Sequence, residues 1–339
     1  MVKNNFNYAL IIGAGSVGKK HIKNLLKYNY KLIICDISNK SLDDAKKLAN
    51  EAILIKNLKE LDKEIINRIK IGVISSWGTD HHKSFKELSK LNIKKIILEK
   101  PLAASEKEVD DILKLAKKKK IKFILHHRRY FNGIERKINE ILKINNSPPS
   151  SMIYHAGSTC LVTTGVHFLD LACNIYKESP IKVISDIHND KINPRHTKLG
   201  YYSGFIKFVF PNNKTLNMIT NNNSRVGNSF SIYSKKLRID LEGDRIFYGL
   251  IPKEKNIRIK ITNHKIVKRD KYFDIANKNY YSYMIKELMK NNSNSKLQKK
   301  YCLVMKGLLG ALWSSHLDSR WISLKNTNSI RYNKKWPVS

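Results

Sequence analysis

The chain has 339 residues, 42% of them hydrophobic, with 64 basic against 28 acidic side chains and a formal charge of +36. That length predicts two domains with sizeable cores and excludes global disorder. No apolar run approaches the ~20 residues that a membrane-spanning helix needs.

The four cysteines, Cys35, Cys160, Cys173 and Cys302, stand far apart with no Cys-x-x-Cys pair. They read as buried free thiols in a reducing, cytoplasmic setting rather than as a disulfide framework or a zinc site. The doublets His81-His82 and His126-His127 lack ligand spacing on a helix, so no metal is expected. The lysines are scattered over nearly every segment, without the aromatic-interleaved stripe of a nucleic-acid surface. A specific nucleic-acid or membrane partner is therefore not expected. The general positive field still favours a phosphorylated or nucleotide-linked substrate.

From Met1 to Ile12 a short apolar stretch runs directly into a glycine motif and reads as a first strand rather than a leader. Strands are predicted at Tyr8–Ile12, Lys31–Cys35, Ala52–Ile55, Ile71–Ser75, Lys95–Leu98 and Lys122–His126, alternating with amphipathic stretches. Capping boxes at Ser41/Asp44 and Ser105/Glu108 mark two helix starts. The run Lys117–Lys120 sits where cations favour a helix C-terminus. This pattern predicts an α/β class with an N-terminal doubly wound parallel sheet over residues 1–126.

Residues 127–339 read differently, as an α+β domain with a large, mostly antiparallel, open-faced sheet. A helix carries Ile134, Ile138, Ile141 and Leu142, and a polar double-proline loop covers Asn145–Ser151. A second helix spans Val166–Tyr176. Period-two strands follow at Phe230 and Ile232, at Leu237, Ile239 and Leu241, and at Ile257, Ile259 and Ile261. Turns fall at Pro211-Asn212-Asn213 and Glu242-Gly243-Asp244, and loops at Asn221–Asn223 and Asn291–Ser295. Two closing helices are expected to be able to pack back on the first domain, the second with Cys302, Met305, Leu309, Leu312 and Trp313 inward. The broad sheet face is a surface for a homo-oligomer.

Gly13-Ala14-Gly15-Ser16-Val17-Gly18 follows the first strand and opens a helix reaching about Tyr28. In that context Gly13 permits the turn, Gly15 lets a pyrophosphate approach the backbone, and Gly18 allows close packing. The helix N-terminus, including Ser16 and Val17, then faces the phosphates. Asp36 ends the next strand, where a carboxylate binds the adenosine ribose and disfavours a 2′-phosphate. The expected cofactor is NAD, with NADP less favoured.

Beyond this motif, Ile97-Leu98-Glu99-Lys100-Pro101-Leu102-Ala103 resembles the Glu-Lys-Pro segment of the glucose–fructose oxidoreductase, inositol dehydrogenase and rhizopine-catabolism (Gfo/Idh/MocA) family. Ser75-Ser76-Trp77-Gly78-Thr79-Asp80-His81-His82 is similar to its strand-end segment lining the nicotinamide side, which with Glu99 and Lys100 adds Ser75, Ser76, Trp77 and His81 to the cofactor residues. His127-Arg128-Arg129-Tyr130 resembles the family's Asn-x-Arg-Phe segment, and Gly165–Leu171 resembles its substrate-domain helix. Ser314-Ser315 to Arg320-Trp321 resembles its closing helix and strand. The resemblance implies that Lys100 lies beside the nicotinamide and the substrate hydroxyl, and that His167 is the acid/base.

Many family members carry an aspartate four residues before that histidine; this chain has Thr163. Asp170, three residues after His167, is a candidate substitute. His126, His127, Arg129, Tyr154 and His155 read equally as pocket residues or as strand-end polar groups. The resulting expectation is an NAD-dependent enzyme that oxidises or reduces a secondary hydroxyl of a sugar, cyclitol or nucleotide-linked sugar, in a setting such as surface-glycan metabolism. The alternative is an NAD-binding family member without net dehydrogenase activity.

Overall fold

The computed structural model describes residues 6–189, 193, 196–250, 271–274, 280–290 and 295–338. The chain divides into two compact units, Met1–His126 with Tyr281–Lys306 and Ser329–Ser339, and His127–Tyr280 with Gly307–Asn328.

In the first unit, β1 (Tyr8–Ile12), α1 (Ser16–Leu26), β2 (Lys31–Cys35), α2 (Asn39–Leu48) and β3 (Ile53–Ile55) form one half of the sheet. The short α3 (Lys63–Ile66) leads to β4 (Ile69–Ile74), α4 (His81–Lys90), β5 (Lys95–Leu98), α5 (Glu106–Lys119) and β6 (Lys122–Leu125). The strand order is β3-β2-β1-β4-β5-β6, all parallel. Continuous Ile/Leu/Val runs suit strands covered on both faces; Leu10, Ile11, Ile33, Ile34, Val73, Ile96, Ile97 and Ile124 are fully buried. The order reverses direction between β1 and β4, so a crevice opens at the carboxyl ends of those two strands.

Two helix starts refine the sequence reading. The cap of α2 is Ser38, not Ser41: Ser38 Oγ accepts the Ser41 N–H at 3.3 Å, and Asp44 instead pairs with Lys19. The cause is local, because Asp36 Oδ1 captures the Ser38 N–H at 2.8 Å and turns the chain early. At α5, Ser105 Oγ accepts the Glu108 N–H, while the Glu108 carboxylate accepts from Ala104 rather than from Ser105 itself. Lys117, Lys118 and Lys119 fill the last turn of α5, and Lys120 closes it in the left-handed region at φ 53°.

The second unit begins with α6 (Arg128–Phe131) and α7 (Ile134–Ile144). It continues through β7 (Pro149–Ala156), α8 (Leu161–Tyr176), β8 (Lys182–His188), β9 (Ser203–Val209), β10 (Thr215–Thr220) and β11 (Ser229–Ser234). Then come β12 (Leu237–Glu242), β13 (Arg245–Leu250) and β14 (Lys271–Asp274). The chain then returns to the first unit with α9 (Tyr280–Met289) and the first half of α10 (Ser295–His316); β15 (Ile322–Ser323) completes the second unit's sheet, and α11 (Ser329–Asn333) belongs again to the first unit. The nine strands run β14-β13-β12-β11-β7-β10-β9-β8-β15. Among the described residues only the β7–β10 pair is parallel.

Alternation puts Met152, Tyr154, Ala156, Leu216, Met218, Phe230 and Ile232 into the core beneath α8. Ile153 and Ile219 face the other way and stay 36% and 38% exposed. The double-proline loop is shorter than expected, since β7 starts at Pro149, a strand-end position proline tolerates. The helix expected from Val166 starts at Leu161, whose N–H reaches Tyr202 O. The strand expected at Ile257–Ile261 and most of the Asn291–Ser295 loop lie outside the described residues; Ser295 itself opens α10. Among the described residues no helix is long and apolar enough to cross a membrane.

All four cysteines are buried and none of them forms a disulfide. Burial, first, and nearby carboxylates push the Cys35 thiol up to about 11, and burial with Asp110 pushes that of Cys302 to about 12. Within the first unit the closing segment is fastened to α5 by a buried ion pair, Arg331 Nε to Glu106 Oε1 at 2.5 Å, with both side chains at most 5% exposed. Removing only the cation strands a buried carboxylate. Arg331→Met is expected to cost about 3–5 kcal/mol in urea unfolding, and the double variant Arg331→Met/Glu106→Gln to recover most of it. Equal losses in the single and double variants would refute that account.

Candidate functional site

The site of the first unit is built on sterics. Gly13 has φ +94°, and a Cβ there would lie 2.6 Å from the Ser75 backbone; a Cβ on Gly18 would lie 2.0 Å from Gly13 O. Only hydrogen fits at either place. Gly15 is the opposite case, with nothing within 4 Å of a built Cβ, which leaves open space over the start of α1. No side chain caps that helix start and its first turn holds no acid, so its N–H groups keep their capacity for an anion. Ser75 Oγ donates to Gly13 O at 2.7 Å and locks β4 to the turn.

Asp36 completes this turn. Its Oδ2 accepts the Ala14 N–H at 2.7 Å and its Oδ1 the Ser38 N–H at 2.8 Å. Each oxygen retains a lone pair for a hydroxyl donor. A pyrophosphate and a ribose diol fit this cradle, and Gly13, Gly15, Ser16, Val17, Gly18 and Asp36 would hold them.

The loops after β4 and β5 lie at the same edge of the sheet. Trp77 is 39% exposed there, Lys100 is half-buried, and the Lys100–Pro101 peptide is cis. His81 is fully buried beneath them, with Nδ1 2.7 Å from Pro101 O and Nε2 3.0 Å from Ser76 O. It joins the two loops rather than facing open space. Burial holds its imidazole below the ordinary value despite both carbonyls.

Glu99 points inward. Its Oε1 meets His21 Nε2 at 2.8 Å and His126 Nδ1 at 2.5 Å, and His21 Nδ1 meets the Tyr281 hydroxyl at 2.8 Å. The ligand atoms of His21, Glu99 and His126 fall within 4.8 Å of one another, a grouping that can in principle bridge a metal ion. Their separations, however, are those of direct hydrogen bonds. Glu99, the residue before Lys100, is thus anchored in a buried polar chain. Sequence reasoning missed His21 and Tyr281; the only signal was a polar residue on the inward face of α1, three places after Gly18.

The candidate residues of the second unit gather around α8. His167 is half-buried, and its Nδ1 lies 3.2 Å from Nδ1 of His127, which is 1% exposed. Arg129 lies over Phe168, 4.1 Å from the ring centroid, and Tyr154 stacks on the same ring at 4.0 Å. Burial raises the Tyr154 phenol, whose hydroxyl is 3.4 Å from Thr159 Oγ1. Thr163 donates to Cys160 Sγ at 3.2 Å in the first turn, and Asp170, 1% exposed, accepts from Asn174 at 3.3 Å. His155 is exposed on the face of β7 opposite Tyr154, apart from this cluster.

These ionisations carry a pH signature. Burial holds His21 and His81 below 6.5 in the folded state. Burial alone would raise Glu99, but His126 and His21 hold it well below 4.5. Burial would likewise raise Glu108, but His82, Lys335 and the Ala104 N–H bring it to about 2. In each case the unfolded chain binds protons that the folded chain refuses, so stability falls with falling pH. The histidine part begins below 6.5 and the carboxylate part below 4.5. The urea midpoint is expected to drop between about pH 7.5 and 5.5, and less in His81→Gln. A midpoint that rises over that interval contradicts the assignment.

Comparison with known proteins places this geometry. Residues 7–127 match the model of the Gfo/Idh/MocA oxidoreductase family, NAD-binding Rossmann fold. A search of curated proteins finds no match to the sequence. Among solved structures, the fold is similar to myo-inositol 2-dehydrogenase from Lactobacillus plantarum, with TM-score 0.69, 14% identity, and 94% of this chain and 99% of that one covered. It is also similar to scyllo-inositol dehydrogenase from Lactobacillus casei, solved with NAD(H) and scyllo-inositol, with TM-score 0.66, 14% identity, and coverage of 95% and 100%. An oxidoreductase from Thermotoga maritima gives TM-score 0.73 at 11% identity, covering 94% and 99%. The match to the Gfo/Idh/MocA oxidoreductase model thus covers the NAD-binding Rossmann segment of this chain, residues 7–127.

Proposed function

We propose that the protein is an NAD-dependent dehydrogenase acting on a secondary hydroxyl of a polyol of the cyclitol or sugar class. The observation that carries the cofactor half is Asp36, pinned by two backbone N–H groups at the glycine turn. An ionised carboxylate there suits the ribose hydroxyls of NAD and repels the 2′-phosphate of NADP. Support for the substrate class comes from the inositol dehydrogenases of similar fold.

The cradle of Gly13, Gly15, Gly18 and Asp36 would hold NAD, which would supply a hydride acceptor for the carbinol carbon. The chain's own part is to bind, orient and take the hydroxyl proton. Lys100 is the cation assigned to the substrate oxygen, where an ammonium stabilises developing alkoxide charge. His167 is the base assigned to the proton, since an imidazole titrates near neutral pH. The net positive charge, +36, draws in an anionic cofactor or a phosphorylated polyol from a distance. Residues such as Ile153 and Ile219 make the open sheet face the proposed contact between copies of the chain.

Calorimetry should show NAD binding, weakened about tenfold or more in Asp36→Ala with a narrower gap to NADP. With myo-inositol or scyllo-inositol as probe, Lys100→Met should lower kcat by about 10²–10³. Absence of NAD binding overturns the proposal, as does unchanged turnover in Lys100→Met. Bound NAD whose reduced-nicotinamide absorbance never changes with any polyol would favour a binding role without dehydrogenation.

A further inference from the structure

His167 and His127 meet nitrogen to nitrogen. Their Nδ1 atoms are 3.2 Å apart, with ring centroids at 5.3 Å and planes at 90°. That separation accommodates one proton: two N–H groups facing each other repel, and so do two lone pairs. The arrangement is fixed by packing, because Arg129, two residues after His127, lies over the ring of Phe168, next to His167.

We propose that His127 is the positioning residue of His167, accepting its Nδ1 proton and so leaving His167 Nε2 bare to take the proton of the substrate. The proposal deepens the dehydrogenase reading above and rests on it. Its logic follows from the charged state. Once His167 has taken a proton at Nε2 it carries N–H at both nitrogens and can only donate from Nδ1. His127 must therefore present a lone pair at its own Nδ1. The alternative, a charge on His127, is the costlier one, because His127 is 1% exposed whereas His167 is half-buried. The same hydrogen bond thus serves before and after proton transfer.

This gives Thr163 a different meaning. Its hydroxyl is engaged with Cys160 Sγ at the helix start, and the orienting task falls to an imidazole from the segment before α6. A neutral imidazole orients the base without adding negative charge beside it. Asp170, bonded to Asn174 along α8, is not needed for the task.

The test uses the full-length protein labelled with nitrogen-15 histidine, with the His167 signals assigned by their loss in His167→Gln. In the unmodified protein His167 should show a protonated Nδ1 and a bare Nε2. His127→Leu should move it toward the Nε2-protonated tautomer, while His127→Asn, whose amide oxygen still accepts, should largely retain the original one. With NAD and an inositol as probe, His127→Leu should lower kcat by about 10²-fold with KM little changed, and His127→Asn should recover at least about tenfold. A proton on His167 Nε2 in the unmodified protein overturns the proposal, and so does a tautomer indifferent to His127→Leu. If the tautomers behave as expected but His167→Gln keeps full turnover, the pairing stands and the acid/base reading fails instead.

Discussion

The first unit is organised by a shortage of space. Where β1 ends, the chain must turn beneath β4 and start α1 within a few residues. A Cβ at Gly13 or Gly18 would fall on backbone atoms. Because nothing larger than hydrogen fits, α1 packs tightly on the strand and its N-terminus opens toward the crevice at the β1/β4 switch. The other features of this edge follow. Ser75 locks β4 to the turn, Asp36 ties β2 to it, and His81 binds the loops of β4 and β5 to each other.

Beneath this edge the polar groups are held rather than avoided. Glu99 is buried among His21 and His126, and Tyr281 extends the chain. An unpaired carboxylate in that place would be costly, whereas one held by two imidazoles fixes the backbone immediately before Lys100. The second unit uses a different device for the same end. Its candidate base is oriented by another imidazole, and the neighbouring rings of Phe168 and Tyr154 with the Arg129 guanidinium fill the surrounding space.

What could be read from the sequence was whatever is encoded locally. Strands buried on both faces announce themselves as unbroken apolar runs, and the glycine motif with Asp36 lies within two dozen residues. Ser105 is legible as a cap for the same reason, whereas at α2 two serines compete within one turn and Asp36, by capturing the Ser38 N–H, decides for Ser38 over Ser41. The Glu99 chain was not legible, since His21 and Tyr281 stand 260 positions apart and meet only after folding. The His127–His167 pair was half-visible. Both residues stood out singly through the family resemblance, but no periodicity joins a segment before one helix to the middle of another.

The parallel pairing of β7 with β10 in the second sheet has a consequence in time. β7 and β10 are central neighbours, yet Ser151 meets Thr215 only after α8, β8 and β9 have been threaded between them. Hairpins can zip along neighbouring turns, but this pairing must wait for a long loop to close, which makes it a slow, non-local event. The helix that carries His167 is part of that loop. The packing of that helix on β10 is therefore completed by the same late step that joins the middle of the sheet, and a chain stalled before that closure would have its hairpins but an uncovered helix face.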